Sequence, residues 1–159
     1  MYILDQHEQD QKLSDLVPVR DEDWTRHFVE PETGEPWMLY YPHSEQHGGG
    51  PRFLRRGVIP ADVTAWVVRL LRDGSAADAM GAGTDLSSEP EVWAAMLDRL
   101  ETERESLPLD RLRAFIRQLG VLRPMNLRPF LGKADEEVTA DAAHFRDLAR
   151  RAAVLSSAS

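Results

Sequence analysis

His43, Glu45 and His47 fall within one five-residue stretch, and Gly48-Gly49-Gly50 follow directly. A carboxylate between two imidazoles suffices for general acid–base chemistry, and the same groups can ligate a divalent metal. The glycine run after His47 offers backbone N–H groups of the kind that stabilise an oxyanion. Each of these chemistries needs partners that the chain does not supply nearby. An oxyanion loop works with a Gly-x-Ser-x-Gly elbow on a parallel sheet, and no such string occurs. Histidines at i and i+4 share a face only on a helix, which Pro42 and Gly48–Gly50 oppose. The order His-Ser-Glu-Gln-His is not the His-Glu-x-x-His of zinc hydrolases, and His27 is the only nearby histidine to complete a metal set. The reading therefore assigns no catalytic residue, no metal ligand and no cofactor. An enzyme built on His43, Glu45 and His47, in the form of a metal-dependent hydrolase, stands as the alternative.

The residues around this loop are aromatic and acidic. Trp24, Trp37, Tyr40 and Tyr41 lie close together in sequence. Aromatics can stack nucleobases when a basic groove accompanies them. Here Arg52, Arg55 and Arg56 are the only basic cluster nearby, so a nucleic-acid partner is not expected. A small sheet with one aromatic face buried explains the residues better, leaving a second face with Tyr40 and His27 for a partner. Residues 1–51 hold eleven acids and three bases, a net −8, which equals the net charge of the whole chain. Such a field repels phosphate backbones and draws basic proteins. The chain has no cysteine, which excludes disulfides and thiol chemistry and suits a reducing cytoplasm. It shows neither a signal-peptide pattern at its start nor an apolar run of membrane-spanning length, so no membrane partner is expected.

These residues must be positioned by a short run of strands followed by helices. Residues 1–20 are mostly polar, with Leu13–Val17 as a short helix or docked strand. Trp24–Val29 and Trp37–Tyr41 read as strands joined by a turn at Glu30–Pro36, where two prolines stop pairing and Gly34 permits positive φ. In the second strand Trp37, Leu39 and Tyr41 face one side, and Met38 and Tyr40 the other. Arg52–Val58 reads as a third strand. After Pro60 the apolar period becomes helical: Val63, Trp66, Val67, Leu70 and Leu71 up to Gly74; then Val92, Trp93, Met96, Leu97 and Leu100 behind a Ser88-Glu-Pro-Glu91 capping pattern. A third helix carries Leu112, Phe115, Ile116 and Leu119 up to Gly120, and a last one runs from about Asp135 to Val154. Ser75–Asp85, rich in small residues and glycine, reads as a loop, and Val121–Lys133 as irregular. The expectation is an α+β fold, with a small antiparallel sheet of about three strands near the N-terminus packed against about four helices. At 159 residues it reads as a single domain, 1–159, with an N-terminal segment (1–23), a hairpin and sheet region (24–58) and a helical region (60–159).

One segment also resembles a known family. In the stretch 24–54, a tryptophan opens a strand, a Pro/Gly turn follows, and a second tryptophan strand ends in Tyr-Pro-x-Ser-Glu-x-His-Gly-Gly-Gly-Pro. The matching positions are Trp24, Phe28, Gly34, Trp37, Tyr41, Pro42, Ser44, Glu45, His47, Gly48, Gly49, Gly50 and Pro51. This string resembles the bacterial immunity protein 27 family. The resemblance implies a protein that binds and neutralises a cognate toxin in the producing cell, with no catalytic site of its own. Acidity agrees with that, because opposite charge speeds encounter with a basic toxin. The residues expected at the contact are Tyr40, His43, Glu45 and His47, with Glu32 and Glu35 of the turn. A structural interaction domain of a larger assembly, using the helical region, is the other alternative.

Overall fold

A computed structural model describes residues 1–42 and 50–157. Among them it forms a five-stranded antiparallel sheet and six α-helices, an α+β architecture. The chain divides into two compact units, Met1–Trp66 and Val67–Ser159.

The first unit holds β1 (Tyr2–Ile3), α1 (Gln6–Ser14), β2 (Val17–Glu22), β3 (Thr25–Val29), β4 (Pro36–Tyr40) and β5 (Phe53–Arg56), with strand order β1-β5-β4-β3-β2. Asp5 caps α1 by accepting from the Glu8 N–H at 3.0 Å, which satisfies one of the orphan donors of the first turn. Gln9, fully buried on α1, donates through Nε2 to the carbonyls of Ile3 and Arg52, both at 2.8 Å. One carboxamide thus joins α1, β1 and the residue leading into β5. Period-two alternation then divides the sheet. Phe28 pairs with Trp37, and Leu39 with Leu54. These four side chains are buried with Leu16, and Ile3 and Leu13 pack against them. The opposite face carries His27, Met38, Tyr40 and Arg55, as the alternation of β4 predicts. Gly34 adopts φ 72° in the β3–β4 turn, a conformation that costs other residues more.

The strand count is five rather than about three. Tyr2–Ile3 is too short to display a period. β2, in turn, is exposed along all six residues, and a bulge interrupts its register between Pro18 and Arg20. An edge strand without a buried face shows no alternation to read. Trp24 lies in the turn before β3, not in a strand, and is half exposed, edge-on to Tyr41.

The second unit contains most of α2 (Val63–Asp73), then α3 (Ala76–Asp85), α4 (Trp93–Glu103), α5 (Leu109–Leu119) and α6 (Asp135–Ser156). The Ser75–Asp85 segment is α3, where a loop was expected. Ser75 and Asp78 cap it reciprocally: the Asp78 N–H donates to Ser75 Oγ at 3.1 Å, and the Ser75 N–H to Asp78 Oδ2 at 2.8 Å. Its alanines and glycines mark close packing. A Cβ on Gly83 would lie 2.6 Å from the Phe115 carbonyl oxygen and 2.8 Å from Gln118 Cβ of α5. The Ser88 capping pattern is not used; a 3₁₀ turn at Pro90–Val92 leads into α4 without a side-chain cap. Trp93, Met96, Leu97 and Leu100 of α4 are buried, as are Leu112, Phe115, Ile116 and Leu119 of α5, on the expected stripes. Trp93 meets Phe145 of α6 edge-to-face at 6.2 Å, and its indole N–H donates to the Leu86 carbonyl at 2.9 Å. Arg104 and Arg113 donate to the carbonyls of Leu155 (3.1 Å) and Ser156 (2.7 Å) at the end of α6, where cations complement the helix dipole.

Residues 121–133 are irregular, as expected. Arg128 and Lys133 fasten this stretch to Asp141 of α6 at 2.6 and 2.5 Å. The Lys133 and Arg128 hydrogen bonds, in that order, hold the Asp141 carboxyl below its usual range. A depressed folded-state value means that this stabilisation is present above the ordinary carboxylate range and is lost as pH falls through it. Acid titration of the melting temperature is therefore expected to show a shallower decline for Asp141→Asn than for the native chain; parallel acid limbs would contradict the clamp. Gly83→Val is expected to destabilise the protein by about 1–3 kcal/mol through overpacking, read as a lower urea midpoint at unchanged slope.

Candidate protein-interaction surface

The candidate surface is built on β2, β3 and β4 of the first unit. Across the face away from α1, Arg20 pairs in register with His27, and His27 with Met38. Glu22 reaches His27 diagonally, its Oε2 3.4 Å from Nε2. Val29 pairs with Pro36 one step along the same face. Because the bulge takes Val19 out of the ladder, a groove of about 370 Å³ opens here. It is lined by Val19, Arg20, His27, Val29 and Pro36, with Phe28 and Trp37 beneath. Farther along β4, Tyr40 packs edge-to-face on Phe53 at 6.0 Å, with the Arg55 guanidinium 5.7 Å from its ring centre.

The unit carries twelve acids and six bases, a net −6. Five of the bases are ion-paired within it: Lys12 with Glu30 at 2.5 Å, Arg20 with Glu22 at 3.1 Å, Arg26 with Asp21 at 3.3 Å, Arg52 with Asp10, and Arg56 with Glu35. The sixth, Arg55, is buried. Such exposed pairs contribute little to stability, about 0–1 kcal/mol each. Their larger effect is on the field, because the cations are neutralised locally. The surplus then resides on acids outside these pairs, among them Asp23 and Glu32 at the two ends of β3. The Lys12 hydrogen bond is the main cause that holds the Glu30 carboxyl below its usual range.

The expected contact residues fall in three places. Tyr40 is half-buried on the open face, at the last position of β4. Glu32 and Glu35 lie in the β3–β4 turn, before β4 begins; Glu32 is exposed, and Glu35 is engaged by Arg56. The four residue steps from Pro36 to Tyr40 separate the turn from Tyr40 by roughly 13 Å. His43, Glu45 and His47 lie outside the described residues. Among the described residues no cluster of three or more histidine, aspartate and glutamate side chains is placed to hold a metal. No described helix is long and apolar enough to cross a membrane. Sequence reasoning missed the groove and the β2 edge. Alternation gave no signal for either, because β2 has no buried face and the bulge breaks its register.

The acidic sheet thus presents an exposed edge at β2 and a groove beside it. Residues 10–56 match the family model described as Immunity protein 27. The match starts within α1, runs through β2, β3 and β4, and ends at Arg56, the last residue of β5. It covers the 24–54 stretch that resembles this family in sequence, and adds α1's second half and β2. No curated protein and no solved structure matches the chain.

The two faces are expected to respond differently to truncation. Trp37→Ala, in the buried face, is expected to cost about 3–5 kcal/mol of stability, whereas Glu32→Ala in the turn should stay within about 0.5 kcal/mol. Chemical denaturation checks both; a silent Trp37→Ala would refute the assignment of faces.

Proposed function

We propose that this protein is a toxin-immunity protein that binds a basic toxin in the cytoplasm of the bacterial cell that makes it, and neutralises it by occlusion rather than by catalysis. The observation that carries this reading is the Immunity protein 27 match, which covers the strands of the acidic sheet from β2 to β5. The contact would draw on Tyr40 and on Glu32 and Glu35, together with His43, Glu45 and His47 of the following loop. Net charge supports the choice of partner. A unit of −6, five of whose six bases are ion-paired within it, accelerates association with a cation-rich surface and repels other anions.

The direct test is co-expression with the protein encoded by the adjacent gene. Growth arrest by that protein alone, rescue on co-expression, and a joint peak in size-exclusion chromatography are expected. Persistent arrest with no joint peak would refute the proposal. Where the complex forms, its association rate is expected to fall steeply between low and physiological salt while dissociation changes little; a salt-independent association rate would remove the electrostatic part of the account.

A further inference from the structure

We infer that the toxin is held by strand addition at the open edge of β2, with one of its apolar side chains seated in the adjoining groove. This rests on the immunity reading above and names the surface and the form of the partner.

Among the described residues, β2 is the last strand of the sheet and pairs with β3 alone. Its outer backbone donors and acceptors are therefore available to another chain, as in any edge strand. The other edge strand, β1, is two residues long and offers little to pair with. Sheet proteins commonly protect a long edge with lysines, prolines and bulges. β2 has a proline and a bulge at Pro18–Arg20, but neither reaches Arg20–Glu22, which runs in regular register against His27, Arg26 and Thr25. The edge has no lysine, and its charged residues Arg20, Asp21 and Glu22 are each ion-paired within the unit. Instead, it presents Val17 and Val19 to solvent at 48% and 66% exposure.

The bulge also has a constructive effect. By removing Val19 from the ladder it creates one wall of the 370 Å³ groove, whose other walls include His27, Val29 and Pro36. That volume accommodates one large aliphatic or aromatic side chain. An added strand supplies the main-chain bonds, and the groove supplies the register, which is how strand-addition sites acquire specificity.

Charge selects the occupant. The strand ends in Asp21 and Glu22, which are ion-paired with Arg26 and Arg20, and Asp23 follows in the turn, outside those pairs, within a unit of net −6. A second copy of this chain would bring the same acids to the same edge, and like charges opposite one another oppose pairing. A segment with lysine or arginine flanking an apolar residue meets both the acids and the groove. The edge also falls inside the matched region 10–56.

The test uses the full-length chain and, as probe, the purified product of the adjacent gene. Isothermal titration is expected to show at least a tenfold loss of affinity for Val19→Lys, which charges the edge and closes the groove. Val19→Thr, which keeps the β-branched shape, is expected to lose less than threefold. Val19 is exposed, so both variants should melt at the native temperature. Native affinity in Val19→Lys, or loss only in Glu32→Lys of the turn, would overturn strand addition while leaving the immunity reading intact. No binding by the native chain would remove both. A native dimer abolished by Val19→Lys would assign the edge to a second copy and overturn the inference.

Discussion

The side-chain amide of Gln9 sets the geometry of the first unit. Burying a carboxamide is costly unless it is hydrogen-bonded; the Gln9 amide nitrogen donates to Ile3 and Arg52 at once, while its Oε1 is buried without a hydrogen-bond partner among the described residues. These carbonyls lie 49 residues apart in sequence, so a single side chain fixes β1 and the start of β5 against α1. The placement of α1 follows from it. Leu13 and Leu16 are brought to Phe28, Trp37, Leu39 and Leu54 on one face, and Lys12 comes to lie 5.0 Å from the Trp37 ring centre and within reach of Glu30. With that face of the sheet committed to folding, β2 and the His27, Met38 and Tyr40 side of β3 and β4 lie outside this core.

The charge pattern fits the same division. Lys12, Arg20, Arg26, Arg52 and Arg56 are each turned toward a carboxylate of their own unit. These pairs add little to stability, but they leave an anionic surface with few uncompensated cations. Such a surface is suited to rapid, selective association rather than to tight folding. The second unit uses its arginines differently. Arg104, Arg111 and Arg113 donate to carbonyls at helix ends, and Arg151 bridges α6 to Asp98 and Glu101 of α4. There the cations hold helices together.

Much of this was legible in the residues. The stripes of α2, α4, α5 and α6, the faces of β4 and the Glu30–Glu35 turn follow from period and turn chemistry, because each buries a regular set of large side chains or needs Gly34 at positive φ. The remainder was hidden for physical reasons. α3 buries alanine and glycine, whose small size signals a loop in isolation but close helix contact once α5 is present. β2 buries nothing and carries a bulge, so it shows no period. Gln9 reads as one polar residue among many until its two carbonyls are brought together. Of the expected site, Tyr40 on the open face was predictable from alternation. The groove was not, because it depends on where Val19 leaves the ladder.

On the proposed function, recognition resides in the sheet unit and not in the helices that follow. Amide hydrogen exchange of the full-length chain, with and without the product of the adjacent gene, tests it most directly. Protection on binding is expected to be confined to residues 10–56, with exchange across α3 to α6 unchanged. Protection restricted to Val67–Ser157, with the sheet unaffected, would contradict it.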